Sequence, residues 1–487
     1  MKLLQDILYK AGIEERIGTL NLAVASITFD SRAVKKDSLF IAIKGLLFDG
    51  HNYIKQAEEF GAVAIVCEHF PEEKKEGVSY IKVKNSELAL SFIAANFYDN
   101  PSEKLRLVGV TGTNGKTTVA SLLYKLFSEL GYKTGLLSTV EYRVHKDVFP
   151  ASHTTPDAIR INAYIAKMVA EGCKYCFMEV SSHGLVQKRT AGLKFRGAAF
   201  TNISRDHLDY HKTFDDYILA KKQLFDQLDS DAFALTNKDD RHGQTMLHHT
   251  KAKKCAFALQ KLADYKGRIM ENDFSGLFVN INGQDLYTKL CGSFNAYNLL
   301  AVYGTAMELG EDSMSVLTIL SNLSSVAGRF QQFRSDTGIV AIVDYAHTPD
   351  ALKNVLSTIN DIRDESGSLL SIVGCGGDRD KGKRPMMAKV ACELSSQVIF
   401  TSDNPRTEDP MLIIADMKAD LDPVHGRKTI TVADRAEAIK LAVSNAKEGD
   451  VILIAGKGHE TYQEINGVKH DFNDMMLVKE MFKLFEK

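Results

Sequence analysis

Excess charge of either sign is missing from this 487-residue chain: 60 Lys and Arg against 62 Asp and Glu leave a formal charge of −2. Without a basic surplus there is no electrostatic footprint for a polyanion, which argues against a dedicated nucleic-acid binder. Long apolar runs are missing too. The longest, such as 451–455, fall far short of the roughly 20 residues that cross a bilayer, and the stretch from Met1 to Asp6 carries no apolar h-region. No membrane span and a cytoplasmic location are therefore expected. Seven cysteines scattered from Cys67 to Cys392, an odd number, do not make a disulfide framework. Cys173 and Cys176 form a CxxC without a second pair nearby, so they read as packing residues between a helix and a strand rather than zinc or redox ligands. Internal repeats, low-complexity tracts and long charge runs are absent as well. What is present, 45% hydrophobic and 25% charged residues, is an ordinary globular composition, and the length is a prior for about three domains.

Short β-like runs at 41–43 and 62–67 mix with helical stretches up to the turn Asp99-Asn100-Pro101-Ser102. From there, apolar runs at 105–110, 135–138, 175–180, 198–203 and 232–235 alternate with amphipathic helices, the pattern of βαβ units around a mostly parallel sheet. A break at 328–335 precedes a second such series at 339–343, 369–373, 398–401 and 451–455. The expected fold is α/β in three domains: a mixed α/β domain at 1–103, a central P-loop-type parallel-sheet domain at 104–333, and a Rossmann-like domain at 334–487.

The strongest local signal is Val108-Gly109-Val110-Thr111-Gly112-Thr113-Asn114-Gly115-Lys116-Thr117-Thr118, an apolar strand entering a glycine-rich turn and then a helix. Such a loop lets backbone N–H groups converge on phosphate oxygens, Lys116 adds a point charge, and Thr117 can ligate Mg²⁺. Strict P-loop spacing wants glycine at Val110, so this is a variant loop. Glu179 ends one apolar strand, where an acidic group can hold Mg²⁺ beside the loop, and His207 follows another. Lys221, read from its surroundings alone, is a lysine on a solvated helix face. Ser402-Asp403-Asn404-Pro405-Arg406 follows the 398–401 run, at the mouth where an open sheet binds ligands.

The wording Gly-Thr-Asn-Gly-Lys-Thr-Thr resembles the ATP loop of the Mur ligases and their relative folylpolyglutamate synthetase. Met178-Glu179-Val180-Ser181-Ser182-His183-Gly184, the stretch from Thr201 to His211, Gly292-Ser293-Phe294-Asn295 and Asp344-Tyr345-Ala346-His347-Thr348-Pro349 resemble further signatures of that family, and the likeness spans essentially the whole chain. It implies an ATP-dependent amide ligase that joins meso-diaminopimelate to UDP-N-acetylmuramoyl-L-alanyl-D-glutamate, acting as a monomer. ATP would be held by Gly112, Thr113, Asn114, Gly115, Lys116, Thr117 and Thr118, and magnesium by Thr117, Glu179, His207 and Lys221, the last as a carbamate. Lys116, Lys221 and His207 are the implied catalytic residues. Ser31, Thr154, Thr155, Ser181, Gln187 and Arg189 would hold the UDP-muramoyl-dipeptide. Arg379, Asp403, Asn404, Pro405, Arg406, Gly456 and Glu460 would hold the amino acid. Diaminopimelate carries a carboxylate that lysine lacks, and an arginine fork recognises a carboxylate bidentately but repels an ammonium. Arg406 therefore disfavours the rival lysine-adding ligase, and the separate N-terminal region disfavours folylpolyglutamate synthetase. A P-loop ATPase without ligase activity would need no such pocket.

Overall fold

The structure is a computed structural model describing residues 1–487 except Leu46, Leu47, Leu208, Asp209 and Glu365. Three large sheets follow one another along the chain, with two two-stranded ribbons besides among the described residues. The first orders its strands as Ile13–Ile17, Ser79–Val83, Ala62–Cys67, Ser38–Ile41 and Ser26–Thr28, parallel except for the first. The third places Val340–Asp344, Val451–Ala455, Leu369–Val373, Gln397–Phe400 and Thr429–Thr431 side by side and parallel. Val451–Ala455 is buried throughout, as a parallel strand covered on both faces must be, which is why its sequence is an unbroken apolar run.

The central sheet has eleven strands. Its middle is parallel: Thr134–Leu137, Tyr175–Glu179, Arg106–Thr111, Gly197–Phe200, Phe233–Asn237 and Lys253–Ala258. Arg106–Thr111 lies between Tyr175–Glu179 and Gly197–Phe200, so the carboxyl ends of these three strands open together. The expectation of a mostly parallel sheet needs correcting at both edges. A hairpin, Glu141–Val144 with Asp147–Pro150, extends one edge antiparallel, and Gly276–Ile281 with Gln284–Thr288 extends the other. These ribbons bury one face only, so their hydrophobic signal alternates and is weaker than that of the inner strands. The break read at 328–335 is also half structured. Gln331–Arg334 pairs antiparallel with Val340–Asp344 and so belongs to the third sheet.

Helix Lys116–Glu129 packs Val119, Leu122, Leu123, Leu126 and Phe127 onto one face of the central sheet, beside helix Ser293–Glu308. The opposite face is covered by helices Ala158–Ala170 and Phe214–Asp226. All seven cysteines are buried free thiols, and Cys173 and Cys176 sit in this second apolar layer. Among the described residues no helix is long and apolar enough to cross a membrane.

Candidate functional site

The loop between strand Arg106–Thr111 and helix Lys116–Glu129 can close only around glycine. Gly115 has φ +85°, and a Cβ there would sit 2.5 Å from Asn298 Oδ1; at Gly112 it would sit 1.9 Å from Thr201 Oγ1. The loop is tied down by Thr113 N donating to Asn202 O at 2.8 Å and Asn114 N to Asn202 Oδ1 at 3.0 Å. Lys116 turns back over it, its Nζ donating to the carbonyls of Gly112 and Thr113 at 2.9 Å each. Gly115→Ala is expected to weaken binding of an ATP analogue about tenfold, the scale of forcing an L-residue into left-handed backbone; equilibrium titration checks it, and unchanged affinity would contradict the strain argument.

The Glu179 carboxylate is buried at the end of its strand, directly paired in register with Val110. It accepts from Thr117 Oγ1 at 3.0 Å, from Thr139 N at 2.7 Å and from Thr139 Oγ1 at 3.1 Å. Thr117 Oγ1 also accepts from Arg329 Nη2 at 3.2 Å. These groups line a cavity of about 720 Å³ that runs from the phosphate loop past His207 to Asp344 and His347 at the carboxyl end of strand Val340–Asp344. A carboxylate and a threonine hydroxyl on the wall of such a cavity are hard oxygen donors that fit Mg²⁺, which is ordinarily held by one or two carboxylates together with phosphate oxygens. Among the described residues no group of three or more His, Cys, Asp or Glu side chains is set to hold a metal ion.

Lys221 overturns its reading as a solvated lysine: it is 1% exposed. The helical pattern around it did not reveal that its face packs beneath the phosphate loop, where Nζ donates to Gly112 O at 2.7 Å and lies 4.5 Å from the centre of the Tyr217 ring. Burial, reinforced by the charge of Lys116, pushes its amine well below the usual lysine range, toward the neutral form. It does not line the cavity. His207 does, in left-handed backbone at φ +55°. Desolvation lowers its pKa to about 4 against the pull of Asp206, whose Oδ2 lies 3.4 Å from Nε2. Leu208 and Asp209 of the same motif lie outside the described residues.

The remaining expected residues fall into three places. Thr154 lines the cavity, its hydroxyl accepting from Thr139 at 3.0 Å. Thr155, Ser181, Gln187 and Arg189 form one network beside it: Thr155 Oγ1 donates to Glu179 O at 2.9 Å, Ser181 N donates to Thr155 Oγ1 at 2.9 Å, and Arg189 Nε donates to Gln187 Oε1 at 3.0 Å. Ser31 stands apart in the first sheet region, donating to Gln56 Oε1 at 2.8 Å. The amino-acid set gathers at the carboxyl end of the third sheet, outside the cavity lining. There Asn404 Nδ2 donates to Glu460 Oε2 at 2.8 Å, a Cβ on Gly456 would meet Asp403 Oδ2 at 2.3 Å, and Arg406 Nη1 donates to Gly377 O at 2.7 Å. Gly377 is in turn packed on the Pro405 carbonyl. Arg379 is exposed, its Nη1 donating to the carbonyl of Asp378 at 3.1 Å.

Thr139, Asn298 and Arg329 stand at the loop without having been singled out as site residues. Thr139 lies just past the carboxyl end of a parallel strand, and that position is the signal that could have found it. His459 is another. Its ring lies 5.2 Å from that of Tyr345, its Nδ1 has no hydrogen-bond partner among the described residues, and desolvation, helped by Arg329, lowers its pKa to about 4. Between pH 6.5 and 4 the unfolded chain therefore binds the extra proton at this position and the folded one does not, so His459 costs stability as the pH falls through that window and is silent above it. The buried carboxyl of Asp344, pushed upward by desolvation, acts in the opposite sense. His459→Gln is expected to shrink the drop in Tm between pH 7 and pH 5; an unaltered drop would remove this group from the pH response.

Three sequence models of one family match: Mur ligase family, catalytic domain, at 23–98; Mur ligase middle domain at 110–306; and Mur ligase, glutamate ligase domain, at 328–458. A Cytophaga hutchinsonii protein named UDP-N-acetylmuramoyl-L-alanyl-D-glutamate–2,6-diaminopimelate ligase is 52% identical over 485 residues, covering 99% of this chain and 100% of its own. A solved structure of a ligase of the same name is 33% identical with a TM-score of 0.69, covering 100% of this chain and 99% of that one. The MurF ligase of Thermotoga maritima, solved in complex with ADP, shares the fold at 19% identity and a TM-score of 0.63, over 94% of this chain and 97% of its own.

Proposed function

The chain belongs to the Mur ligase family, and from that premise we propose that it joins meso-diaminopimelate to the D-glutamate γ-carboxylate of UDP-N-acetylmuramoyl-L-alanyl-D-glutamate at the expense of ATP, in the cytoplasm and as a monomer. A carboxylate cannot expel oxide under attack by an amine, so it must first be activated. A γ-carboxylate oxygen attacks the γ-phosphorus, the bond to the bridging oxygen of ADP breaks, and an acyl phosphate forms. The amine then attacks the acyl carbon, loses its proton, and phosphate leaves. No protein nucleophile is required.

Lys116 and the first-turn N–H groups of helix Lys116–Glu129 hold the phosphates, those of Thr113 and Asn114 being given to Asn202, and Arg329, reaching Thr117 from the interdomain side, adds a second cation at the same place. Glu179 and Thr117 are the groups that would hold magnesium, which supplies neutralisation of the phosphate charge when bound. Lys221, buried with its amine biased toward the nucleophilic neutral form, suits carboxylation by CO₂. A carbamate keeps one N–H, enough to retain the bond to Gly112 O. Thr154, Thr155, Ser181, Gln187 and Arg189 are the proposed dipeptide contacts, Ser31 the uridine-side contact, and the set around Arg406 the amino-acid site.

The observation that carries the choice of amino acid is Arg406, held with its guanidinium at the mouth of the third sheet, since a fixed fork pairs with the carboxylate that distinguishes diaminopimelate from lysine. The test is phosphate release from ATP in the presence of UDP-N-acetylmuramoyl-dipeptide with diaminopimelate, lysine or no amino acid. Diaminopimelate-dependent release that falls about 100-fold in kcat/KM for Arg406→Ala is expected. Lysine-dependent release would overturn the pocket assignment, and release indifferent to amino acid would overturn ligase activity.

A further inference from the structure

We infer that Glu464, on the hairpin formed by Tyr462–Ile465 and Val468–Asp471, is a positioning residue that sets the Arg406 guanidinium for the carboxylate of the incoming amino acid. The inference rests on the amino-acid site proposed above. Arg406 occupies left-handed backbone at φ +52°, a conformation a non-glycine residue keeps only where its surroundings impose it. The surroundings here are this hairpin. Arg406 N donates to Glu464 O at 3.1 Å, and Asn466 N donates to Arg406 O at 2.7 Å, so the strained residue is clamped on both sides. The same strand continues the grip upstream: Glu464 N donates to Asn404 Oδ1 at 2.9 Å and Gln463 Nε2 to Asp403 O at 2.7 Å.

The side chain of Glu464 then fixes direction. Its Oε2 lies 3.4 Å from Arg406 Nε, while Nη1 is held by Gly377 O. With Nε facing Glu464 and one N–H of Nη1 given to Gly377 O, the second N–H of Nη1 and those of Nη2 form the edge left for bidentate pairing with a substrate carboxylate. Gly376 keeps that room open, because a Cβ there would lie 3.0 Å from Nη1. Both members of the pair are about a quarter exposed, so the pair is reachable by substrate yet not freely mobile.

Steady-state kinetics on Glu464→Ala and Glu464→Gln decide the matter. Glu464→Ala is expected to raise the KM for diaminopimelate about tenfold, the scale of one lost charge-assisted contact, with kcat and the KM values for ATP and UDP-muramoyl-dipeptide within about twofold of wild type. Glu464→Gln, which keeps shape and a hydrogen-bond acceptor, is expected to recover part of the loss. An unchanged KM for diaminopimelate in both variants overturns the positioning role, and so does a parallel rise in all three KM values, which marks damage to the fold. Should Glu464→Ala prove insoluble, the glutamine variant alone decides on the same criteria. A wild-type enzyme that releases no diaminopimelate-dependent phosphate would instead defeat the amino-acid site on which this rests.

Discussion

Lys116→Ala is expected to lower diaminopimelate-dependent phosphate release about 10³-fold in kcat, equivalent to about 4 kcal/mol of barrier. The ammonium sits in the loop within reach of the carbonyls of Gly112 and Thr113, and its pKa is lowered chiefly by desolvation, with Glu179 and Asp206 pulling the other way. A cation already stripped of much of its water has little reorganisation left to do when phosphate charge spreads in the transition state. Its removal also leaves Arg329 as the remaining cation bonded to Thr117. Circular dichroism and the affinity for UDP-muramoyl-dipeptide should be unaffected, since the Lys116 ammonium bonds, among the described residues, to carbonyls of its own loop. A variant retaining more than a tenth of the wild-type kcat would refute the assignment.

The second large effect is on folding. Arg435 and Asp474 are both fully buried and pair bidentately, Nε to Oδ1 and Nη2 to Oδ2 at 2.8 Å each, while Nη2 also donates to Ala455 O at 3.0 Å. They open helices Arg435–Asn445 and Asp474–Leu484, so the pair locks two helix starts onto the end of strand Val451–Ala455. Asp474→Ala leaves a buried guanidinium without its paired carboxylate, with only the more distant Asp403 and Glu460 acting on it and with Nη1 already lacking a hydrogen-bond partner among the described residues. A loss of about 3–5 kcal/mol is expected in urea denaturation followed by tryptophan-independent probes such as far-ultraviolet dichroism. The double variant Arg435→Met with Asp474→Leu should lose much less, because neither charge is then stranded. Equal losses for the two would show that packing volume, not charge, is what matters there.

The parts legible in the sequence are those whose physics is local. The phosphate loop is contiguous, its glycines are demanded by its own backbone, and most inner parallel strands betray themselves as apolar runs whose observed limits differ from the expected ones by a few residues at most, whereas Lys253–Ala258, opened by two lysines, escaped. The antiparallel ribbons escaped although their turns are written plainly: Asn282-Gly283 and Asn466-Gly467 both take two successive positive φ values, the signature of a two-residue hairpin turn. Lys221 escaped for a different reason. Nothing within its helix distinguishes a lysine facing water from one facing the underside of a loop 109 positions away; only the packing of helix on sheet does. The same holds for Arg329 and Thr139, whose meaning lies in the partners that meet them across the cavity.

The Thr117 hydroxyl has one further consequence, and it concerns the order of events. It touches Glu179 on one side and Arg329 on the other. Gly328, the residue before Arg329, accepts from Tyr345 N at 3.0 Å and is packed so tightly on Gly458 and His459 that a Cβ would lie 2.0 Å from His459 N. Those two residues lie between Lys457 and Glu460, which are themselves bonded at 3.1 Å. An unbroken path of contacts thus joins the nucleotide loop to the amino-acid site. Ligands at its two ends should then be linked, and linkage is reciprocal: an ATP analogue that tightens diaminopimelate must itself be tightened by diaminopimelate to the same factor. Where that factor exceeds one, inhibitors shaped like the amino acid bind the nucleotide-charged enzyme more tightly, and their potency climbs with ATP concentration rather than falls.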